Sequence, residues 1–181
     1  MDDNLRMGFK VFGDVFDTGK RIVFVGTTCS YPAYPTHFPF REEDLFDGEP
    51  EPTNAPYGIA KRTLGKLLGL SKHGGAYVVP TNLYGPRDNF DLESSHVIPA
   101  MIRKMAVAKT DKTDVELWGD GSPTRDFLYV TDAARGIVDA LERAPDTEPI
   151  NLGSGNSIAM SDLPTRIARL VGFTGPIRWD K

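Results

Sequence analysis

Two short apolar runs constrain this chain more than any other feature. Ile22-Val23-Phe24-Val25 and Ala76-Tyr77-Val78-Val79 are β-branched or aromatic and are bounded by polar or turn residues. Runs of that length and make-up suit strands buried on both faces. Between them, Ile59 to Leu68 places apolar residues at helical spacing behind Pro56, whose fixed φ fits a first helical turn. The first run ends in Gly26-Thr27-Thr28-Cys29-Ser30-Tyr31-Pro32, the second in Pro80-Thr81-Asn82-Leu83-Tyr84-Gly85-Pro86. Strand, polar end, loop, helix, strand, polar end is the rhythm of a doubly wound α/β sheet. Ligands of such sheets sit at the carboxyl ends of the strands.

The remaining pattern fits the same class. We expect a helix over 4–17, an irregular surface loop over 33–55, and a turn at His73-Gly74-Gly75. A helix follows over 97–108, then strands at 114–118 and 125–130 around the Gly119-Asp120-Gly121 turn. Thr131 is placed to cap the next helix, whose stripe is Ala134, Ile137, Val138 and Leu141. A short strand at 149–152, a helix capped by Ser161 and a strand from Ile177 complete the chain. Gly153-Ser154-Gly155 reads as a simple turn rather than a phosphate loop, because it lacks a third glycine and enters no helix directly.

Composition removes several classes. At 181 residues and net charge −4 the chain is not a general nucleic-acid binder. No apolar run approaches the ~20 residues of a membrane span. Met1-Asp2-Asp3-Asn4 has neither the basic nor the apolar region of a secretory signal. The single cysteine, Cys29, excludes an internal disulfide and fits a reducing, cytoplasmic compartment. No Cys/His spacing suggests a metal.

Tyr57 and Lys61 are four residues apart on the central helix, hence on one face, one turn apart. A phenol of pKa ~10 is a poor acid–base group at neutral pH, and a nearby ammonium favours its phenolate. Such a pair can pass a proton to or from an alcohol or sugar oxygen. The spacing alone is also what a surface lysine beside a half-buried tyrosine gives. The hydroxyls and thiol of Thr27-Thr28-Cys29 are placed for chemistry at a strand end, or for a turn that bonds its own backbone.

Four blocks together are more specific. Gly26 to Pro32, Glu51-Pro52-Thr53-Asn54-Ala55-Pro56-Tyr57, Ser94-Ser95-His96-Val97-Ile98-Pro99-Ala100 and Trp118-Gly119-Asp120-Gly121-Ser122-Pro123-Thr124-Arg125 resemble the GDP-L-fucose synthase family, within the extended short-chain dehydrogenase/reductase superfamily. The resemblance covers nearly the whole chain. It implies an NADP(H)-dependent nucleotide-sugar enzyme converting GDP-4-dehydro-6-deoxy-D-mannose to GDP-L-fucose. The sugar is epimerised on both sides of its ring system's keto-activated positions, and the ketone is then reduced. By the same resemblance Tyr57 is the reductive proton donor, and Lys61 tunes it and holds the nicotinamide ribose. Thr27 stands where the family has its catalytic Ser. Cys29 and His96 stand at the epimerisation base and acid. Val25, Gly26, Thr27, Thr28, Pro80, Thr81, Asn82 and Leu83, with Lys61 and His96, line the cofactor site. Trp118 and Arg125 hold the GDP-sugar, with Lys104 where the family has Arg. Chemically, inverting a centre beside a ketone needs a base on one face and an acid on the other. Thiols (~8.5) and imidazoles (~6.5) titrate in a useful range for that work.

The resemblance implies the C-terminal part of a Rossmann-type doubly wound parallel sheet plus part of a smaller α/β substrate-binding lobe. Residues 1–90 would belong to the first and 91–181 to the second, with a return to the sheet near 125–143. The family's opening strand, glycine loop and helix have no counterpart before Asn4, and family members continue past Ile177. An internal piece truncated at both ends is therefore expected, carrying the catalytic residues but by itself binding NADPH poorly and turning over little or not at all. The complete enzyme would be a homodimer. The 4,6-dehydratases place an Asp-Glu pair where Cys29-Ser30 stands here. A GDP-colitose synthase acting on a 3-deoxy sugar, and a non-catalytic binding remnant, are both compatible with the same residues.

Overall fold

The computed structural model describes residues 2–72 and 74–180. They form two compact units, Met1–Thr81 with Thr131–Gly153 and Asn82–Val130 with Ser154–Lys181.

In the first unit the two apolar runs pair directly. β1 (Ile22–Val25) and β2 (Gly75–Pro80) are parallel neighbours, with Val25 opposite Val78. β6 (Pro149–Leu152) adds a parallel strand on the other side of β2. All of β2 is buried, as the middle strand of such a sheet requires. Helices α1 (Asp2–Val15), α2 (Ala55–Leu68) and α4 (Val130–Arg143) belong to the same α/β arrangement. Phe12 of α1, Leu64 and Leu68 of α2, and Tyr77 and Val79 of β2 share one core with Tyr31 and Leu45. Burying a large apolar side chain contributes about 1.5–3 kcal/mol relative to leaving it in water. The doubly wound α/β reading of the sequence holds.

Three expectations need correction. The 33–55 segment is not simply a surface loop: it contains a 3-10 turn over Glu42–Phe46, and Pro32 bridges Pro50. Leu45 of that turn is fully buried, and Phe40 and Phe46 of the same segment pack against the same core. Thr131 lies inside α4 rather than capping it, because the helix begins directly from the preceding strand at Val130. The last helix, α5 (Leu163–Val171), has Asp162 rather than Ser161 at its N-cap; the Ser161 N–H is taken by the Gly121 carbonyl. The expected turn at His73-Gly74-Gly75 falls partly on His73, outside the described residues, and Gly75 already belongs to β2.

The second unit holds two small sheets. β3 (Asn82–Tyr84) pairs parallel with β5 (Thr124–Tyr129), which pairs antiparallel with β7 (Ser157–Ala159). β4 (Val115–Trp118) pairs parallel with β8 (Ile177–Asp180). β3 and β7 span three residues each, too short for a periodic signal in the sequence. α3 (Val97–Asp111) packs against α5 over Met101, Met105, Leu163 and Ile167. Val115 and Leu117 of β4 join that core, and the alternate residues Glu116 and Trp118 face outward. No described helix is long and apolar enough to cross a membrane.

Leu45→Ala separates the two readings of the 33–55 segment. A surface loop predicts almost no change in stability, whereas loss of a fully buried Leu predicts about 2–5 kcal/mol by chemical denaturation.

Candidate active site

The carboxyl end of β1 runs straight into a tight turn. Thr27 is the N-cap of a 3-10 turn over Thr28–Ser30, and its hydroxyl accepts the Cys29 N–H at 3.2 Å. The self-bonding turn anticipated as an alternative is therefore present, and it also presents a half-buried thiol. Helix α2 lies directly on this turn. A Cβ added at Gly58 would fall 2.3 Å from the Cys29 carbonyl oxygen, so only glycine permits the approach. Buried Ser30 donates its hydroxyl to the Gly58 carbonyl at 3.1 Å.

That docking brings Thr27, Cys29 and Tyr57 together. The Tyr57 phenol is raised above its ordinary value, first by burial and then by the charge of the neighbouring Cys29 group; a hydrogen bond with the Thr27 side chain pulls the other way. Lys61 donates to the Val25 carbonyl at 2.9 Å, and its ammonium lies 5.8 Å from the Tyr57 ring centre. Burial lowers the Lys61 pKa. The net direction is upward, not down as the sequence suggests, because burial is the largest influence on the Tyr57 phenol, while the Lys61 ammonium is also bonded to the end of β1. A phenol above its ordinary value is protonated at neutral pH, the state a proton donor needs.

Other expected cofactor residues of this unit line the strand ends. Gly26 is buried, donates to the Val78 carbonyl at 2.7 Å and leaves no room for a Cβ against the Tyr77 ring. Pro80 closes β2, and the Thr81 N–H bonds the Leu152 carbonyl at 3.0 Å. The Thr81 hydroxyl is buried with no hydrogen-bond partner among the described residues. An orphaned donor at the carboxyl end of the middle strand, with the Lys61 ammonium at the end of its neighbour, fits the nicotinamide side of a dinucleotide. No glycine-rich phosphate loop of the dinucleotide type occurs in the sequence.

The second unit carries Asn82, Leu83, His96, Lys104, Trp118 and Arg125. His96 occupies the N-cap of α3 but its imidazole makes no capping bond and stays exposed. Asn82, Lys104, Trp118 and Arg125 line one open cavity of about 460 Å³, together with Ser95 and Trp179. Trp118 stands at the end of β4 with 78% of its surface exposed. The Lys104 ammonium donates to the Glu116 carbonyl at 2.8 Å and sits 5.2 Å from the centre of the Trp118 ring. Leu83, at 37% exposure, does not line that cavity. Gly153-Ser154-Gly155 behaves as the turn expected. The amides of Ser154 and Gly155 both donate to the Asp126 carboxylate at 3.1 Å, so the chain's own anion fills that nest.

Sequence reasoning missed the supports of the turn: Gly58, Ser30, Arg62 and the Tyr31–Asn151 pair. Tyr31 donates to the Asn151 side chain at 2.7 Å and stacks on Phe40 at 4.4 Å. A glycine beside Tyr57 inside a helix, where glycine is unfavourable, was the available signal for one of them. Among the described residues no group of His, Cys, Asp or Glu is arranged to hold a metal ion.

The buried phenols give a pH dependence. Tyr31 and Tyr77 are both pushed up to about 12 by burial, against 10.0 for a free phenol. Their contribution is complete below the unfolded value and is lost as pH rises from about 10 through about 12, since the unfolded chain then releases protons that the folded one keeps. Denaturation midpoints recorded at rising alkaline pH should fall across that window, and Tyr31→Phe should make the fall shallower.

The chain is similar to known proteins in sequence and in fold. The profile of the NAD dependent epimerase/dehydratase family matches residues 1–153. A GDP-L-fucose synthase of Sinorhizobium fredii is 45% identical over 98% of this chain and 58% of its own length. A GDP-L-colitose synthase of Yersinia pseudotuberculosis is 32% identical over 99% of the chain and 60% of its own length. The crystal structure of a GDP-L-fucose synthetase from Naegleria fowleri bound to NADP superposes with a TM-score of 0.91 at 31% identity, covering 99% of this chain and 57% of that one. The chain thus spans less than two thirds of each of these proteins.

Proposed function

We propose that this chain, which belongs to the NAD dependent epimerase/dehydratase family, carries the catalytic residues of a GDP-L-fucose synthase. Its substrate is GDP-4-dehydro-6-deoxy-D-mannose, its cofactor NADP(H) and its setting the cytoplasm, with a homodimer as the working form. The observation that carries the reading is the docking of α2 on the 3-10 turn, which gathers Thr27, Cys29 and Tyr57 at one strand end. The name of the Sinorhizobium fredii relative and the NADP in the Naegleria fowleri structure support it.

In this reading Cys29 removes a proton from a carbon beside the ketone, leaving an enolate, and His96 returns a proton from the opposite face. Repeating the exchange on the other side of the ketone inverts the second centre. Tyr57 then gives its proton to the ketone oxygen as that oxygen becomes a hydroxyl, with Thr27 orienting the phenol. NADPH, when bound, supplies the hydride for that reduction. Val25, Gly26, Thr28, Lys61 and Pro80 to Leu83 would hold the nicotinamide half. Trp118 offers a flat face and Arg125 a guanidinium that suits a diphosphate. Lys104 provides charge without Arg's bidentate fork.

A GDP-colitose synthase is the second reading, favoured by the Yersinia pseudotuberculosis match. It keeps the same residues and differs in taking a 3-deoxy sugar.

The half-reactions separate the residues. With the 4-keto sugar in heavy water and no NADPH, the protein should wash deuterium into the carbons flanking the ketone. Joined to a glycine-loop segment that holds the dinucleotide, the Cys29→Ala protein should show that exchange cut by about 10²–10⁴-fold, and Tyr57→Phe should leave it while lowering NADPH-dependent GDP-L-fucose formation by a similar factor. Mass spectrometry of the sugar reads both. Exchange that survives in Cys29→Ala, or both variants losing the same half-reaction, would sink the assignment.

A further inference from the structure

Arg62 takes no part in the proposed chemistry, yet it is the most committed cation of α2. Its Nε donates to the Ser30 carbonyl and its Nη1 to the Gly48 carbonyl at 2.6 Å. Its Nη2 is buried with no hydrogen-bond partner among the described residues. Placing a guanidinium there carries a desolvation cost, and burial accordingly lowers its pKa. Its two acceptors are instructive. Ser30 follows Cys29 in the 3-10 turn, and Gly48 lies in the return of the loop whose Pro50 bridges Pro32. Ser30 is also held through its hydroxyl by Gly58, and Cys29 through its N–H by Thr27. The turn is thus tied to α2 at Ser30, directly after the thiol, by Gly58 and by Arg62, the residue next to Lys61, while before the thiol it is held within itself by Thr27.

We infer that Arg62 is a positioning residue: by bonding the Ser30 and Gly48 carbonyls it fixes the Cys29 thiol against the Tyr57 helix. The functional meaning rests on the reading of Cys29 as a base given above, but the positioning itself does not. Arg suits the task because its rigid planar fork holds separated donors in a fixed geometry toward two carbonyls, whereas a lysine ammonium is a compact point charge on a flexible stem. Loss of the fork leaves both carbonyls without their charged donor and frees the turn to open.

Because Cys29 is the sole cysteine, its alkylation reports this turn alone, with no need for catalytic turnover. The test is the iodoacetamide reaction rate of the full chain at fixed pH, followed by mass spectrometry. Arg62→Met should speed the reaction by roughly 5-fold or more, and Arg62→Lys, which keeps the charge but not the fork, by an intermediate factor. Leu68→Ala, at the far end of α2 and also fully buried, provides the control for general destabilisation and should leave the rate near that of the unaltered chain. If Arg62→Met does not fold, Arg62→Lys against Leu68→Ala makes the same comparison. Equal alkylation rates in the Arg62 variant and the unaltered chain would overturn the inference. So would a Leu68→Ala rate raised as far as that of the Arg62 variant at a matched loss of melting temperature. Failure of the deuterium exchange with intact Arg62-dependent alkylation would instead reject the enzymatic reading and leave the positioning role standing.

Discussion

The backbone of α2 rests on the backbone of the turn after β1, and the chemistry of the first unit depends on that contact. At Gly58 the approach to the Cys29 carbonyl excludes a side chain altogether. Seven residues on, Gly65 faces the Tyr77 ring at a similarly close distance, so the helix is seated on the middle strand as well. A helix held by two such contacts has little freedom to slide or rotate. Tyr57 and Lys61 therefore reach the end of β1 in a fixed register, and the hydroxyl, thiol and phenol meet there without a separate device for each.

The second unit is built differently, around one broad open cavity. Alternation along β4 buries Val115 and Leu117 and turns Trp118 outward. Lys104 then lies over the exposed ring, so its charge is shared between the Glu116 carbonyl and the indole face. Asp126, beside Arg125, is used internally: it accepts the amides of the Ser154-Gly155 turn and so ties β5 to the segment leading into β7. What resembles a phosphate loop in sequence is closed by a carboxylate of the same chain.

Much of this was legible from the residues. The apolar runs gave β1 and β2, though only β2 is fully buried as expected and β1 is half-buried along its length, and the four-residue Tyr57–Lys61 spacing placed both on one helical face. Elements that depend on a single tertiary contact were not legible. Leu45 and Phe46 are a short apolar pair among acidic residues, and their packing is decided by residues distant in sequence. Thr131 and Ser161 have the right chemistry for caps, but strand geometry and a backbone bond decided otherwise. The direction of the Tyr57 shift was hidden for the same reason: spacing puts Lys61 near the phenol, and only the fold shows the burial that raises it and the ammonium bonded to Val25. Arg62 looked like one more charge on a helix until its two carbonyl partners, from segments before α2, were in place.

The most direct test is the stability of Gly58→Ala, measured by chemical denaturation. Helix propensity alone predicts a gain of about 1 kcal/mol for Gly to Ala inside a helix. If α2 truly sits on the Cys29 turn, the new methyl would lie 2.3 Å from a backbone carbonyl that cannot give way cheaply. The account then predicts a net loss of about 1–3 kcal/mol, together with altered Cys29 reactivity. A stabilised Gly58→Ala protein with unchanged thiol reactivity would mean that the helix does not approach the turn as described, and the constellation built on that contact would fall with it.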